Sequence, residues 1–526
     1  MFAAHEEVAI QHSAKTVSRF LWSGKDVRTM NSDITFSRGY LICVNNTIRE
    51  TPHPVLNWDQ ESIGRFNIYT HPLLPSERQD NIILLGRAID PVNNEGDTES
   101  IVSILRDCLS RNKSTFLDYL DNLSGRFVLF VQRDDEVFAV GDATGSKSLL
   151  FAEDNPVLSS HVDLIAKTGN YNRQSFAEQV INSDASSYPG LATEYQGIHQ
   201  LPPNTLLHVE ERNIERIFPR EPLETRELTS NLIEEVADLL TSQFNLLVEE
   251  HDLVLSLSAG IDSRLSFAAS REVRDQIDYY TWIFDDQKGL DVSVASALCD
   301  HVGVQHNSYR IDEDPDQDFL NAFRTHATDV TRGRNRARNA YNHYQKFPPE
   351  KLEIRSNISE IGRSYYRNKF AGLPNTPNAS ILTKLYGHVF SDEIREAFRE
   401  FIHLTSFHNT GLYNYDPYDL FYWEYKMGRW LSQWLIEKDV SHDNFILFNN
   451  REILKRMLSL SLSERMDAEL FYQVIDFLWP ECLDIPLNPS KNVGSWYRQE
   501  AKRAAYGLAI RQPLPIYRRI IDIHRR

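Results

Sequence analysis

The sequence is poor in cysteine and contains no long hydrophobic run. Its four cysteines lie far apart among 526 residues, with no C-x-x-C pair. This spacing disfavours a zinc knuckle or a disulfide framework and is typical of reduced thiols in a cytoplasmic protein. Apolar runs such as 127–131 and 253–257 have the length of strands and are too short to cross a bilayer. The first residues lack the basic start and apolar core of a signal peptide. We therefore expect a soluble cytoplasmic protein without a membrane segment.

Basic residues are also in deficit, with 56 lysines and arginines against 74 aspartates and glutamates, a net charge of −18. Because a nucleic-acid surface needs a basic patch, this balance disfavours a nucleic-acid partner. The composition, 41% hydrophobic and 25% charged, is that of an ordinary globular protein. The length exceeds that of a single hydrophobic core and predicts two or three domains.

The N-terminal part, to about residue 215, has the pattern of a mostly β structure. Short apolar runs between turn residues predict strands at 40–44, 82–85, 126–131 and 137–140. Helical spacing of Ile101, Ile104, Leu105 and Cys108 predicts one helix over 100–123. A polar segment with two prolines, residues 219–229, predicts a domain boundary.

Beyond this boundary the pattern changes to alternating strands and helices. Thr229 and Ser230 can cap a helix, and strands are predicted at 253–257 and 279–284 with a helix at 291–302. Such alternation predicts a parallel sheet. From about residue 375 onward the pattern is mainly helical and rich in aromatic residues.

The sharpest motif is Ser-Ala-Gly-Ile-Asp-Ser at residues 258–263, between the strand 253–257 and an apolar helix that we expect to begin near Arg264. Backbone N–H groups of such a turn, with a helix N-terminus behind them, form a site for phosphate oxygens. The hydroxyls of Ser258 and Ser263 can donate as well, and Asp262 would hold Mg²⁺ there. The G-K-[ST] ending of a Walker loop is absent. An unspecialised strand–turn–helix connection is the alternative.

This run resembles the S-G-G-x-D-S pyrophosphate loop of the PP-loop ATP pyrophosphatases, with Ala259 in place of the first glycine. Its setting is similar to the asparagine synthetase branch, which includes the β-lactam synthetases and lasso-peptide cyclases. The resemblance implies a parallel-sheet synthetase domain over residues 229–526, with a helical C-terminal part, that uses ATP and Mg²⁺. It assigns to the nucleotide Leu257, Ser258, Ala259, Gly260, Ile261, Asp262, Ser263 and the backbone near Ile283.

A second segment, residues 354–365, resembles the family loop S-G-E-G-S-D-E-x-F-G-G-Y with about two residues missing. In the family this loop supplies a magnesium carboxylate and closes over the nucleotide. Glu360 is the acid that remains, so the resemblance implies that it is catalytic and binds the metal with Asp262. We expect the two carboxylates within metal-coordination or one-water distance. A helix cap is the alternative for Glu360, and the base that deprotonates the amine stays unassigned.

Three further residues match the family with weaker motifs. Glu424, to which the resemblance gives a catalytic role, lies in the aromatic run 421–430. This run resembles the helical substrate region of the family, although such a run is more often core. Lys491 stands where the family carries a late lysine that neutralises charge on the pentavalent phosphorus; a solvated loop lysine is the alternative. His306 follows the helix 291–302 as a family histidine does, and we expect a half-buried strand residue.

The N-terminal part carries its own resemblance. Residues 123–128 and 140–145, followed by Ser159 and Ser160, are similar to segments of the class II glutaminase domain. The resemblance implies an αββα sandwich of the N-terminal-nucleophile type over residues 1–218. That domain needs a cysteine directly after the initiator methionine, because the free α-amine serves as its base. Phe2 stands there instead, and Cys43 lacks the following glycine of the family. We therefore expect no glutaminase activity.

Together these motifs predict an ATP-dependent C–N ligase that adenylates a carboxylate, releases pyrophosphate and transfers the acyl group to an amine. The substrates would be small molecules or peptides, and a homodimer is compatible with the sequence. Three alternatives remain open: an ammonia-dependent enzyme similar to asparagine synthetase, a tRNA-modifying relative, and a pseudoenzyme or assembly scaffold. The tRNA-modifying reading needs basic surface and, for thiolation, paired cysteines, which the composition disfavours.

Overall fold

The computed structural model describes residues 34–44, 52–185, 187–284, 289–408, 410–488 and 495–525. The strands are β1 (Tyr40–Val44), β2 (Asp59–Ile63), β3 (Phe66–Thr70), β4 (Ser76–Gln79), β5 (Ile82–Ile89), β6 (Ser124–Arg133), β7 (Glu136–Gly141), β8 (Leu150–Ala152), β9 (Leu158–Ser159), β10 (Ile198–Gln200), β11 (Thr205–His208), β12 (Asn213–Arg216), β13 (Leu253–Ser256), β14 (Ile277–Ile283), β15 (His306–Arg310), β16 (Leu352–Arg355) and β17 (Asp443–Ile446).

Helices cover much of the remaining chain. The α-helices are Thr98–Arg111, Lys113–Asn122, Val162–Ala166, Ala177–Ile181, Ser230–Val248, Ile261–Ala269, Leu290–Val302, Gln317–His326, Arg334–Lys346, Tyr365–Lys369, Ala379–Tyr386, Asp392–Leu404, Pro417–Phe421, Ser432–Lys438, Arg451–Leu458, Leu462–Met466, Glu469–Leu478, Ser495–Ala509 and Leu514–Arg525. A π-helix spans Tyr422–Leu431, and 3₁₀ turns lie at His53–Asn57, Arg271–Gln276, Asp329–Thr331, Ser359–Arg363 and Pro480–Leu483. Among the described residues, no helix is long and apolar enough to cross a membrane.

Two six-stranded antiparallel sheets form the N-terminal part, with strand orders β10-β8-β9-β1-β3-β2 and β12-β11-β7-β6-β5-β4. Alternating side chains of each sheet point at the other, so that Tyr40 and Ile42 share a buried cluster with Ile83 and Phe130. The rings of Phe66 and Phe130 meet edge to face across the two sheets, with centroids 5.2 Å apart. The sheets therefore pack face to face around one apolar layer.

Helices cover the outer face of each sheet. Ile82 and Leu84 of β5 pack with the helices Thr98–Arg111 and Lys113–Asn122, and the other sheet packs against Val162–Ala166. The four layers run helix, sheet, sheet, helix. The predicted single helix over 100–123 is wrong, because the chain breaks at Asn112, whose backbone is extended at φ −173° and ψ 165°. Its side chain accepts a hydrogen bond from the Thr115 N–H at 2.8 Å and so starts a second helix.

The second half contains a five-stranded parallel sheet of order β15-β14-β13-β16-β17. Leu253 and Leu255 of its central strand are fully buried with Phe267 of the following helix. Mixed α/β structure with a parallel sheet and a helical C-terminal part is thus confirmed. β17 comes from the region expected to be mainly helical and adds a fifth strand beside β16.

Buried polar contacts join the two halves, and we call the following three pairs the polar seam. Arg126 of β6 forms an ion pair with Asp439, Arg216 of β12 holds Glu424, and Thr144 donates a hydrogen bond to Asn449 at 2.9 Å. All six of these side chains are nearly or fully buried. The sheets of the two halves are therefore held together by paired polar groups rather than by apolar contact alone.

Candidate functional site

The site begins where the central strand of the parallel sheet ends. β13 stops at Ser256, and the helix Ile261–Ala269 starts with Gly260 as its N-cap. This start is three residues earlier than the position near Arg264 that we predicted. No side chain caps the helix, so the N–H groups of its first turn are available to an anion at the sheet edge.

Three N–H groups of the loop before this helix already have partners. The Ser258 N–H donates to the Ser263 hydroxyl at 3.1 Å, and the Gly260 N–H donates to the Ser258 hydroxyl at 3.2 Å. The Ala259 N–H donates to the carboxylate of Asp291 at 2.8 Å. Asp291 belongs to the first turn of Leu290–Val302. A carboxylate oxygen therefore lies where this loop would meet a phosphate oxygen.

Asp262 is held by the loop that follows β16. Its carboxylate accepts hydrogen bonds from the Ser359 hydroxyl at 2.5 Å and from Arg363 at 2.7 Å. β13 and β16 are parallel neighbours, so the loops after them leave the same edge of the sheet. The segment 354–365 and the motif at 258–263, which the sequence predicted to act together, thus meet directly.

Glu360 lies one residue from this contact and is partly buried. Its Oε2 has no hydrogen-bond partner in the described part of the chain. Burial, and then the negative charge of Asp262, raise the pKa of Glu360 to about 7. The structure therefore brings the two predicted metal ligands, Asp262 and Glu360, into one electrostatic environment.

These residues fit a divalent cation. Mg²⁺ prefers oxygen ligands and binds through one or two carboxylates together with phosphate oxygens. Glu360 offers a buried oxygen without a partner, and a cation there would favour its ionised form. Arg363 supplies the positive charge beside Asp262 in this structure, so a metal ion would replace or adjoin that guanidinium.

The strand next to the loop carries the predicted adenine contact. β14 ends at the buried residue Ile283, whose carbonyl accepts the Ile311 N–H at 3.0 Å. Leu257 donates its N–H to the Tyr280 carbonyl at 2.8 Å, which fixes the loop against β14. His306 is a partly exposed residue of β15 that bonds the Thr281 hydroxyl at 2.9 Å, in agreement with the strand role expected for it.

Glu424 does not join this group. Both of its oxygens accept hydrogen bonds from Arg216, at 2.6 and 2.8 Å, and Asn204 donates a third at 3.2 Å. The carboxylate is fully buried. This contradicts the expectation that Glu424 is catalytic, because both of its oxygens are buried and already paired with Arg216.

Two predicted positions lie outside the described residues, Lys491 and Phe2. The segment before Lys491 does reach the site, since the Asn488 N–H donates to the Ala259 carbonyl at 3.0 Å. Cys43 is described and is buried in β1. Burial raises the pKa of its thiol to about 11, which opposes formation of a nucleophilic thiolate.

Sequence reasoning missed three polar partners in the site. Ser359 and Arg363 lie in the same segment as Glu360, and both donate hydrogen bonds to Asp262. The prediction considered only the acidic residue of this segment. The third partner is Asp291, for which the sequence predicts only the start of a helix. Asp291 follows β14, the strand adjacent to β13. This position could have indicated its contact with the loop, because strand ends of a parallel sheet meet at one edge.

Neither a protein-family model nor a curated protein matches the sequence. Among solved structures, glutamine-dependent NAD+ synthetase from Acinetobacter baumannii in complex with adenosine diphosphate is 16% identical over 34% of this chain and 34% of its own, with a TM-score of 0.19. The allosteric regulatory enzyme of purine biosynthesis is 13% identical over 50% and 62%, with a TM-score of 0.22. Glutamine phosphoribosylpyrophosphate amidotransferase from B. subtilis, complexed with ADP and GMP, is 12% identical over 65% of this chain and 73% of its own, with a TM-score of 0.20.

The chain thus spans about a third of the length of the NAD+ synthetase and less than two thirds of the purine enzyme, since the matched shares of those chains are 34% and 62%. Similarity at these TM-scores carries no argument about fold or activity.

Proposed function

We propose that this protein is an ATP-dependent ligase that activates a carboxylic acid as its acyl-adenylate and transfers the acyl group to an amine. The observation that supports this is the meeting of two loops at the carboxyl edge of the parallel sheet. There Asp262, at the N-terminus of a helix, is hydrogen-bonded by Ser359 and Arg363 and lies beside the partly buried Glu360. A helix N-terminus with two carboxylates suits a metal-bound polyphosphate.

The chemistry assigned to the site has two steps. A carboxylate oxygen of the acid attacks the α-phosphorus of ATP, and the bond to the β-phosphate bridging oxygen breaks to release pyrophosphate. The amine nitrogen then attacks the acyl carbon, AMP leaves with the electron pair of the C–O bond, and the amine loses one proton. First-turn N–H groups of Ile261–Ala269 would stabilise the negative charge on the departing pyrophosphate.

Asp262 and Glu360 are the residues that would hold Mg²⁺. When bound, the ion would neutralise phosphate charge and orient the leaving group. Arg363 would remain near the same oxygens as a second cation, since its guanidinium already pairs with Asp262 at 2.7 Å.

The test is exchange of labelled pyrophosphate into ATP, with Mg²⁺ and a panel of carboxylic acids, amino acids and peptides. We expect exchange that depends on one class of acid. Asp262→Asn should lower it by about 10²–10³-fold, the usual cost of losing a group that stabilises transition-state charge. The matched control is Asp392→Asn, since Asp392 also lies in the first turn of a helix and pairs with an arginine, Arg395, at 2.8 Å.

Two results would contradict the proposal. Exchange by Asp262→Asn above about a tenth of the wild-type rate, on the scale of that expected loss, would remove Asp262 from the reaction. An absence of acid-dependent exchange across the panel would remove the adenylation step itself.

A non-catalytic scaffold is the second candidate, and the contact between Asp291 and the Ala259 N–H favours it. That carboxylate fills an anion position in the loop, as expected of a protein that no longer binds nucleotide. Calorimetry with Mg-ATP separates the two functions: a scaffold gives no binding heat, whereas the ligase binds.

A further inference from the structure

An aromatic pocket adjoins the second loop of the site. A cavity of about 210 Å³ lies between the helices Tyr365–Lys369 and Ala379–Tyr386 and the π-helix Tyr422–Leu431. Its walls include the rings of Tyr365, Tyr386 and Trp430. This aromatic pocket is built largely from planar side chains.

The aromatic pocket is also positively charged. Three lysines line it, and no aspartate or glutamate does so among the described residues. Its charge is thus opposite to that of the chain, whose net charge is −18. Lys384 is already engaged, because its ammonium donates to the carbonyls of Ile510 and Gln512 at 2.8 Å each. The other two lysines are Lys369 and Lys426.

Lys426 is the lysine of the pocket that lacks a direct polar partner among the described residues. Its ammonium lies 5.3 Å from the centre of the Trp430 ring, and in the described part of the chain it makes neither a hydrogen bond nor an ion pair. Burial lowers its pKa, and the charge of Lys369 lowers it further, with a smaller opposing effect from Asp184. Because a partly buried ammonium without a direct partner loses hydration, an anion in the pocket would stabilise it.

Two tyrosine hydroxyls of the pocket are bonded to the backbone. The Tyr386 hydroxyl donates to the Ser187 carbonyl and the Tyr425 hydroxyl to the Tyr188 carbonyl, both at 3.1 Å. With these hydroxyls engaged, the tyrosines contribute apolar ring surface to the lining. A flat apolar body with one negative group matches this lining.

Tyr365, which lines the aromatic pocket, links it to the site. Tyr365 begins its helix two residues after Arg363, which holds Asp262. The charge of Glu360 raises the pKa of Tyr365, after burial. A ligand in the pocket would therefore lie next to the loop that carries Glu360.

We propose that the aromatic pocket is the subsite for the acyl substrate and that this substrate is an aromatic carboxylic acid. The ammonium groups of Lys426 and Lys369 attract its carboxylate, and its ring packs on Trp430 and the tyrosines. The inference rests on the proposed function, since it names the acid that the ligase would activate.

The test is calorimetric binding of 2-naphthoate and of 2-naphthamide to the full chain without nucleotide. We expect 2-naphthoate to bind and the neutral amide to bind at least about 30-fold more weakly, the size of effect that follows from removing one member of a buried charge pair. Lys426→Met should remove this preference, and Lys426→Arg should retain most of it.

Lys346→Met is the matched control, because Lys346 also lies over an aromatic ring, that of Tyr309 at 4.1 Å, but outside the pocket. It should bind 2-naphthoate like the wild type. Thermal unfolding checks that Lys426→Met is folded. Equal binding of acid and amide, no binding of 2-naphthoate, or an unchanged preference in Lys426→Met would overturn the inference. Binding as expected with no pyrophosphate exchange for any acid would support the pocket and reject the ligase.

Discussion

Glu194 is a buried carboxyl group at the junction of the N-terminal sheets with the later helices. It is 1% exposed, and its Oε1 has no hydrogen-bond partner in the described structure. It lines a cavity of about 20 Å³ together with His161, His326 and Gln433, which is room for a single water molecule. Burial, followed by the charge of Asp329, raises the pKa of Glu194 to about 8.

This shift predicts a pH-dependent cost of folding. A carboxyl group whose pKa is higher in the folded state contributes stability below its unfolded pKa, and that contribution is lost as pH rises from about 4.5 to 8. Glu194→Gln cannot ionise, so it should raise Tm relative to wild type at pH 9 more than at pH 4.5. Thermal unfolding at both pH values measures this.

Glu178→Gln is the matched control, because Glu178 is an exposed glutamate on a nearby short helix. Its effect on Tm should be small at both pH values. If the advantage of Glu194→Gln over wild type were the same at pH 4.5 and pH 9, the raised pKa would be wrong.

At the scale of elements, the loop after β13 and the helix Leu290–Val302 are coupled by one contact. The Asp291 carboxylate binds the Ala259 N–H at 2.8 Å, so an incoming phosphate must displace it and meets its negative charge. Asp291→Ala should therefore tighten binding of magnesium pyrophosphate by about tenfold or more, as expected when a competing charge-assisted hydrogen bond of about 1.5–3 kcal/mol is removed. Isothermal titration measures it.

Asp300→Ala is the control for that prediction, since Asp300 is an exposed aspartate on the same helix. It should leave the affinity unchanged. Weaker binding in Asp291→Ala would assign Asp291 to the metal or phosphate instead, and would contradict the competition.

Elements with a local signal were predictable from the sequence, and those set by distant partners were not. The meeting of Asp262 with the loop of Glu360 was expected from the resemblance of the segments 258–263 and 354–365 to two loops of one family. The break at Asn112 was missed because Ile101 and its neighbours continue a helical pattern, while the side chain of Asn112 starts a new helix. The partner of Glu424, Arg216, is 208 residues away, and no local pattern indicates such a contact.

For the whole molecule, the Arg126–Asp439 pair of the polar seam is a buried charged contact between the halves. The Asp439 side chain is 1% exposed and binds Arg126 while Lys147 lies 3.8 Å away. Asp439→Ala would leave these cations buried without their carboxylate, so we expect a loss of about 3–5 kcal/mol in the free energy of unfolding. Denaturant unfolding measures it.

The exposed pair Arg399–Glu396 provides the control. Glu396→Ala should change stability by about 1 kcal/mol or less, because exposed ion pairs contribute little. A similar small loss in Asp439→Ala would mean that the seam pair does not hold the halves together.

The polar seam also bears on how the gene can change over generations. A mutation of Arg126 lies in the N-terminal half, but its effect reaches the other half. It removes the ion-pair partner of Asp439, which belongs to the half that carries the loop at 258–263. We therefore expect a change at either position to be tolerated best when the other position changes with it. Splitting the gene within 219–229 would place Arg126 and Asp439 on separate chains, and each buried charge would lose its partner. The two halves are therefore expected to be inherited together.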